Sequence, residues 1–156
     1  MTIERVIGRL LKAREETLAV AESCTGGLIA HLITNVPGSS RHFKLGVVAY
    51  SNSSKTEFLG VDPGVLKKYG AVSGAVARAM AEGVRRLGRT TYGIGVTGIA
   101  GPTGGSKSKP VGTVHIAVAG PHGTRGKKYF FPRDRGTFKL FAAHTALHKL
   151  RQLISG

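Results

Sequence analysis

The chain has 156 residues, a length that suits one domain with a hydrophobic core of its own. Its 23 Lys and Arg residues outnumber its 8 Asp and Glu residues, and the formal net charge of +15 favours anionic ligands. No apolar run reaches the roughly 20 residues of a membrane span, the first residues lack a signal-peptide pattern, and a single cysteine excludes an internal disulfide. We therefore expect a soluble, cytoplasmic protein in which residues 1–156 form one domain with no membrane partner.

The first half of the chain alternates helical and extended patterns. Apolar residues recur at helical spacing over residues 3–14, which predicts an amphipathic helix. Short apolar runs at 17–21 and 46–50 predict two buried strands, and the helix after the first of them has Thr25 or Ser23 as a candidate N-cap. Small polar residues follow both strands, at the sheet edge where α/β proteins bind ligands.

The second half continues the alternation and then changes to a hairpin. A glycine-rich stretch at 98–110 follows a predicted strand and is either a functional lid or a disordered connector. The predicted elements are a short helix beginning at Pro63, a long helix capped by Ser73, a strand at 92–97, a hairpin of 111–119 with 125–131, and a last helix capped by Asp134.

The strand end at residues 21–27 is the most informative stretch. Ser23 and Cys24 offer two nucleophiles, while Gly26 and Gly27 allow a ligand to approach the backbone closely. The unpaired N–H groups at the start of the following helix favour an anion or a developing oxyanion. The stretch therefore indicates a nucleophile or a phosphate cradle, with an ordinary capped turn as the alternative.

A serine and a lysine at neighbouring strand ends suggest acyl transfer. Ser23 would be the nucleophile and Lys55, if neutral, its base, since burial and nearby positive charge both favour a neutral amine. Tyr50 could relay a proton or hold the lysine. Backbone N–H groups near Gly26, or in the stretch at 98–101, could hold the oxyanion.

Other side chains offer alternatives. Cys24 adjoins a helix N-terminus, which would lower its thiol pKa and make it a rival nucleophile, unless it is a small buried residue. Glu22 could orient Lys55 or a substrate hydroxyl. Of the two arginines after the last strand, Arg135 is the expected phosphate ligand and Arg133 the solvated one.

The histidines do not form a metal-binding pattern. His144 and His148 share a helix face, as a metal pair would, but a third ligand is missing nearby in the sequence. We therefore expect neither a metal site nor a cofactor.

Four stretches taken together resemble one family. They are residues 21–27 (AESCTGG), Tyr50-Ser51-Asn52 with Lys55, residues 70–73 (GAVS), and residues 98–102 (GIAGP) with 109–113 (KPVGT). In this order they look like the C-terminal domain of the competence-damage-inducible (CinA) proteins, a family that includes stand-alone nicotinamide mononucleotide (NMN) deamidases. The N-terminal CinA domain, associated with ADP-ribose pyrophosphatase activity, has no counterpart in these residues, so that activity is not expected.

The resemblance implies metal-free hydrolysis of the NMN carboxamide to nicotinate mononucleotide and ammonia. Carried onto matching positions, it implies Ser23 as nucleophile, Lys55 as base and Tyr50 as an assisting residue. It also implies a substrate-binding set in which Arg135 holds the phosphate; Arg133 stands where the family usually has glycine. The resemblance also places Ser40 near the site, and together with the groups considered above, the expected substrate-binding residues are Thr25, Gly26, Gly27, Ser40, Gly98, Gly101 and Arg135.

We therefore expect an α/β fold: a single three-layer α/β/α sandwich with a mixed, mostly parallel sheet. The expected partner is a small mononucleotide, NMN, and the protein is expected to be a homo-oligomer. The alternative is a non-enzymatic, competence-related protein that binds nucleotides or nucleic acid, which the charge of +15 favours. Any nucleic-acid binding should be non-specific, because only 6% of residues are aromatic and the basic residues form no long run.

Overall fold

A computed structural model describes residues 1–156. Its five strands form one mixed sheet in the order β2-β1-β3-β4-β5. β1 runs parallel to β2 and β3, whereas β4 is antiparallel to both β3 and β5, so the carboxyl ends of β1, β2 and β3 share one edge. The strands are β1 Leu18–Glu22, β2 Phe43–Val48, β3 Tyr92–Gly98, β4 Thr113–Gly120 and β5 Gly123–Phe130.

Helices cover both faces of this sheet. The helices are α1 Ile3–Arg14, α2 Leu28–Thr34, α3 Asn52–Leu59, α4 Pro63–Tyr69, α5 Gly74–Gly88 and α6 Arg135–Ser155, and a short 3₁₀ turn covers Ser39–Arg41. α1, α2 and α6 pack against one another, and α3 and α4 pack against α5. The expected three-layer α/β/α sandwich with a mixed sheet is confirmed. None of the helices is long and apolar enough to cross a membrane.

Alternate residues of β1 contribute to two separate cores. Leu18 and Val20 belong to the core beneath α1, α2 and α6, whereas Ala19 and Ala21 belong to the core beneath α5. This two-residue alternation is the strand period, and a strand buried on both faces is apolar throughout. Burying each large aliphatic side chain stabilises the fold by about 1.5–3 kcal/mol.

Glycines in β3 allow α5 to lie unusually close to the sheet. A Cβ atom built on Gly93 would lie 2.3 Å from the carbonyl oxygen of Ala81, and one on Gly95 would lie 2.3 Å from that of Ala77. No side chain fits at those distances. The glycines therefore bring α5, and the residues that precede it, against the strand that ends at the site.

Several local predictions agree with the structure. The helix at 3–14 is present, Ser73 accepts a hydrogen bond from the N–H of Val76 (3.2 Å), and Asp134 accepts one from the N–H of Thr137 (3.1 Å). The stretch at 98–110 is attached to the fold, because the Lys109 ammonium donates to the carbonyl oxygen of Tyr69 at the end of α4. It is an ordered loop and not a disordered connector.

The prediction of a second buried strand was wrong in part. β2 is the edge strand of the sheet, with β1 as its only neighbour, and its side chains alternate between half-buried and exposed. Val48 is 51% exposed. Its apolar sequence resembles that of a central strand because one face still packs against helices, and an apolar run alone does not distinguish an edge strand from a central one.

Candidate active site

Ser23 is the first residue after β1, at the edge where three strands end. Its N–H donates to the carbonyl oxygen of Val96 in β3 (3.1 Å), which extends the strand pairing by one residue and holds the serine in place. On the other side, the N–H of Ala49 donates to the carbonyl oxygen of Glu22 (2.8 Å). The backbone of Ser23 is therefore held between its two neighbouring chain segments, and its side chain is buried.

Lys55 lies in the second turn of α3 and points back toward Ser23. Its ammonium donates to Ser23 Oγ at 3.1 Å, to the carbonyl oxygen of Ala49 at 2.9 Å and to that of Tyr50 at 3.2 Å. The side chain is only 1% exposed, and burial lowers the pKa of its amine. All three acceptors are neutral oxygens. A lysine in this environment loses its proton more readily than an exposed one and can then accept the proton of Ser23.

The Ser23–Lys55 pair lies in a cavity of about 330 Å³. The walls come from the ends of β1 and β3, the start of α3, the segment before α5 and the start of α6. Gly98 and Gly101, two of the expected substrate-binding residues, are part of this wall. The side chains and backbone that line the cavity include Ser23, Cys24, Tyr50, Asn52, Lys55, Ala71, Val72, Thr97, Ile99, Thr103 and Arg135.

Arg135 joins two sides of the cavity. One guanidinium nitrogen donates to the carbonyl oxygen of Gly101 at 2.7 Å and another to the hydroxyl of Tyr50 at 3.0 Å. We expected Tyr50 either to relay a proton or to hold Lys55. Its hydroxyl contacts Arg135, whereas its carbonyl oxygen accepts a hydrogen bond from Lys55. The side chain of Tyr50 is 61% exposed and lies at the mouth of the cavity with Arg135.

Glu22, which we expected to orient Lys55 or a substrate hydroxyl, instead caps the start of α2. Neither Ser23 nor Thr25 is the N-cap, a position that Gly27 occupies. Instead the buried Glu22 carboxylate accepts hydrogen bonds from the N–H groups of Ile29 (2.9 Å) and Ala30 (3.0 Å) and from the Thr25 hydroxyl (2.6 Å). Glu22 is thus directed away from Lys55, and Thr25 supports Glu22 without lining the cavity.

The two glycines before α2 make the turn that follows Ser23. Gly26 and Gly27 have φ values of +62° and +101°, in the region that favours glycine. The N–H of Gly26 donates to the carbonyl oxygen of Ser23 (3.1 Å), so among the backbone N–H groups near Gly26 this one is already paired. The N–H groups of Cys24 and Gly27 have no backbone acceptor. Neither glycine lines the cavity.

Ser40 lies far from this site within the chain. It belongs to the 3₁₀ turn that precedes β2, and the first residue of β2, Phe43, pairs with the first residue of β1, Leu18. Ser23 follows the opposite end of β1. Ser40 is therefore at the other edge of the sheet, and the expectation that it lies at the site was wrong for a single chain.

Cys24 does not have the environment of a reactive thiol. It is part of the hydrophobic core, and burial raises its pKa to about 12 from the ordinary 9.0. The proximity of Lys55 and Lys139 lowers this pKa by less than burial raises it. The expected lowering by the helix N-terminus was therefore wrong, and Cys24 is a small buried residue.

The remaining candidates lie outside the cavity. The guanidinium of Arg133 lies 5.8 Å from the ring centre of Phe141 on the outer side of α6. His144 and His148 have no third partner, and no group of three His, Cys, Asp or Glu residues in the chain could hold a metal ion.

Sequence reasoning missed two features of the site. The Thr97 hydroxyl donates to the carbonyl oxygen of Ala71 at 2.9 Å, which ties the end of β3 to the segment before α5. Lys139 reaches the start of α2, since its ammonium lies 3.3 Å from where a Cβ atom on Gly26 would be. Lys139 is four residues after Arg135, so both cations lie on one face of α6. This spacing can be read from the sequence and could have identified Lys139.

These observations define the class of protein: an α/β domain with a buried serine–lysine pair at the carboxyl edge of its parallel strands. The chain belongs to the CinA C-terminal domain family, whose model matches residues 1–154.

Curated relatives and solved structures support this assignment. A CinA-like protein from Anaeromyxobacter sp. (strain Fw109-5) is 56% identical over 146 residues, covering 94% of this chain and 35% of that protein. The competence/damage inducible protein CihA from Agrobacterium tumefaciens is 38% identical with a TM-score of 0.94, covering 97% of this chain and 93% of that one. The competence damage-inducible protein A (ComA) from Klebsiella pneumoniae is 33% identical with a TM-score of 0.95, covering 98% and 95%. The chain thus spans about a third of the length of the curated relatives that it matches.

Proposed function

We propose that this domain is an amidohydrolase that deamidates NMN to nicotinate mononucleotide and ammonia without a metal ion. The observation that carries the proposal is the hydrogen bond of 3.1 Å between the buried Lys55 amine and Ser23 Oγ. A hydroxyl within hydrogen-bond reach of a base whose pKa is lowered by burial is the arrangement of an activated nucleophile.

In the first half of the reaction Lys55, in its neutral form, takes the proton of Ser23 while Oγ attacks the carboxamide carbon. The positive charge of the nicotinamide ring makes this carbon more electrophilic. The tetrahedral intermediate then collapses as Lys55 returns the proton to the leaving nitrogen, the C–N bond breaks and ammonia departs. The product is a nicotinoyl ester of Ser23, and attack by water, again with Lys55 as base, releases nicotinate mononucleotide.

Two further groups have roles in this proposal. The backbone N–H of Cys24 lies next to the nucleophile and has no backbone acceptor, and in this proposal it donates to the developing oxyanion, in the way that residues after a nucleophilic serine often do. Arg135 binds the substrate phosphate at the mouth of the cavity, because its planar guanidinium can give two parallel hydrogen bonds to phosphate oxygens. Lys139, on the same helix face, adds positive charge nearby.

The test is ammonia release from NMN by the wild type and by Ser23→Ala, with EDTA present throughout. We expect the wild type to release ammonia and Ser23→Ala to lose roughly a thousandfold or more in kcat. Ser53→Ala is the matched control, because Ser53 is an exposed serine at the start of α3 whose hydroxyl contacts only Ser51. Mass spectrometry of rapidly quenched wild type should find the nicotinoyl ester on Ser23. Full activity of Ser23→Ala would exclude Ser23 as the nucleophile.

The charge of +15 favours a second candidate, a protein that binds nucleic acid without catalysis. In that case duplex binding would weaken steeply with salt, and the wild type would release no ammonia from NMN. Measuring both properties on one preparation distinguishes the two functions.

A further inference from the structure

A second cavity of about 370 Å³ lies at the opposite edge of the sheet, where β2 begins. We call it the α1 cleft. One wall is α1, and the other is the segment of residues 36–42 that joins α2 to β2. It shares no residue with the Ser23 cavity. Within one chain, a ligand of this cleft is therefore separate from the NMN site proposed above.

Basic side chains dominate the lining of the α1 cleft. Arg5, Arg9 and Lys12 come from successive turns of α1, and Arg41 faces them from the other wall. No carboxylate is among the lining residues, and the acidic residue of α1, Glu4, is outside them. Cations gathered in one concave site repel one another. An anion bound between them is attracted by each cation, and this attraction offsets their mutual repulsion.

His42 provides the cleft with a buried polar group that has no partner. The side chain is only 5% exposed and lines the cleft, yet neither ring nitrogen forms a hydrogen bond within the protein. Its ring packs against Gly8, where a Cβ atom would lie 3.3 Å from ring atom Cε1. Burial, together with Lys44, lowers the pKa of His42. The ring nitrogens keep contact with solvent, so an anion bound in the cleft can accept a hydrogen bond from the imidazole N–H without displacing a protein partner.

We propose that the α1 cleft binds a small polyvalent phosphate: pyrophosphate or the diphosphate group of a nucleotide. Arg5, Arg9 and Arg41 supply the planar guanidinium groups that match phosphate oxygens, Lys12 adds a further charge, and His42 donates from the interior. The cleft contains no aromatic side chain other than this imidazole on which a series of bases could stack. Its concave shape also suits a compact anion better than an extended strand.

The test is a calorimetric titration with pyrophosphate, supported by NMR of the histidine ring signals. We compare the wild type with the double variant Arg9→Gln/Arg41→Gln and with a matched control, Arg125→Gln/Lys127→Gln, on β5. Both variants remove two exposed cations, so they change the net charge equally. We expect the cleft variant to weaken pyrophosphate binding roughly tenfold or more, since it loses two charge-assisted contacts to the anion, and the control to change it little.

The NMR measurement identifies the place of binding. The ring signals of His42, assigned by their loss in His42→Gln, should shift on addition of pyrophosphate to the wild type. ADP binding more tightly than pyrophosphate would identify a nucleotide site, and equal binding would identify a site for the diphosphate alone. Equal weakening of pyrophosphate binding by both double variants would overturn the proposal, and so would His42 signals that do not shift. Duplex DNA binding that requires Arg9 and Arg41, in a protein that does not bind pyrophosphate, would also overturn it. None of these readouts depends on ammonia release, so the proposal stands or falls separately from the proposed function.

Discussion

The guanidinium of Arg135 donates to the hydroxyl of Tyr50 at 3.0 Å, although 85 residues separate the two in the chain. A second nitrogen of the same guanidinium donates to Gly101 at 2.7 Å. Arg135 thus connects α6, the segment after β2 and the loop after β3 around the mouth of one cavity. A side chain held by two hydrogen bonds has little conformational freedom left to lose when a ligand binds.

Replacing Arg135 should weaken NMN binding more than it slows the chemical step. Arg135→Gln is expected to raise KM for NMN by roughly 10–100-fold, since a hydrogen bond to a charged group contributes about 1.5–3 kcal/mol. Nicotinamide riboside lacks the phosphate, so its kcat/KM should change little in the same variant. Tyr50→Phe is the companion variant: it removes the hydroxyl partner of Arg135 but keeps the carbonyl oxygen that accepts from Lys55. An equal loss for both substrates in Arg135→Gln would exclude a phosphate-binding role.

The activity should depend on pH through Lys55. Because burial lowers the pKa of this amine from 10.5, the neutral form becomes populated at a pH below that of an exposed lysine. We expect kcat/KM for NMN to rise with pH and to level off below pH 10.5. Lys55→Met should abolish ammonia release, whereas Lys107→Met, in the exposed loop, should leave the profile unchanged. A profile that is flat through this range would exclude Lys55 as the base.

The same shift predicts the direction in which stability changes with pH. Between the lowered pKa of folded Lys55 and the value of 10.5 in the unfolded chain, the unfolded state binds more protons. The contribution of Lys55 to the free energy of unfolding therefore increases as the pH rises through this window. Urea denaturation of wild type and Lys55→Met over a pH series measures it. The free energy of unfolding of the wild type minus that of Lys55→Met should rise with pH in this window. A fall in this signed difference would contradict the assignment.

Cys24 should be almost inert in the folded protein. Burial raises the pKa of its thiol to about 12 from the ordinary 9.0, so far less of the reactive thiolate is present than for an exposed cysteine. We expect an aromatic disulfide reagent to label the native protein far more slowly than the urea-unfolded one at the same pH. Cys24→Ala should keep ammonia release, because the proposed mechanism does not use the thiol. Rapid labelling of the native protein would show that Cys24 is more accessible than the structure indicates.

Glu22 should stabilise the fold without acting in catalysis. Its buried carboxylate accepts three hydrogen bonds from α2 and from the turn before it. In Glu22→Gln an amide group would face these donors, and we expect a loss of about 2–5 kcal/mol in the free energy of unfolding. Glu57→Gln, on the exposed side of α3, should change it by no more than about 0.5 kcal/mol. Chemical denaturation measures both variants, and equal stabilities would exclude the capping role.

The sequence was most informative where structure depends on neighbours in the chain. The amphipathic spacing of residues 3–14 and the capping residues Ser73 and Asp134 predicted helices that are present. Capping and helical periodicity involve residues only three or four positions apart, so their effect survives in many tertiary contexts. The prediction that Ser23 follows a buried strand had the same local basis.

Residues that act through distant partners were predicted less well. Glu22 looked like a site residue because it adjoins Ser23, but successive strand residues point to opposite faces, and its side chain turns toward α2. Tyr50 was assigned to Lys55 by its side chain, whereas only its carbonyl oxygen faces the amine. Ser40 is 17 residues from Ser23 in the sequence, yet the turn that contains it lies at the other end of the strands.

By itself, then, the sequence determined the helices with strong periodicity and caps, the three-layer class and the presence of small polar residues at strand ends. Only the tertiary structure decided which of those residues meet. The strand order β2-β1-β3 brings Lys55 within 3.1 Å of Ser23 across 32 residues, and burial in the same cavity lowers the pKa of its amine. Distances and desolvation of this kind arise from packing between segments far apart in the chain, which no local pattern specifies.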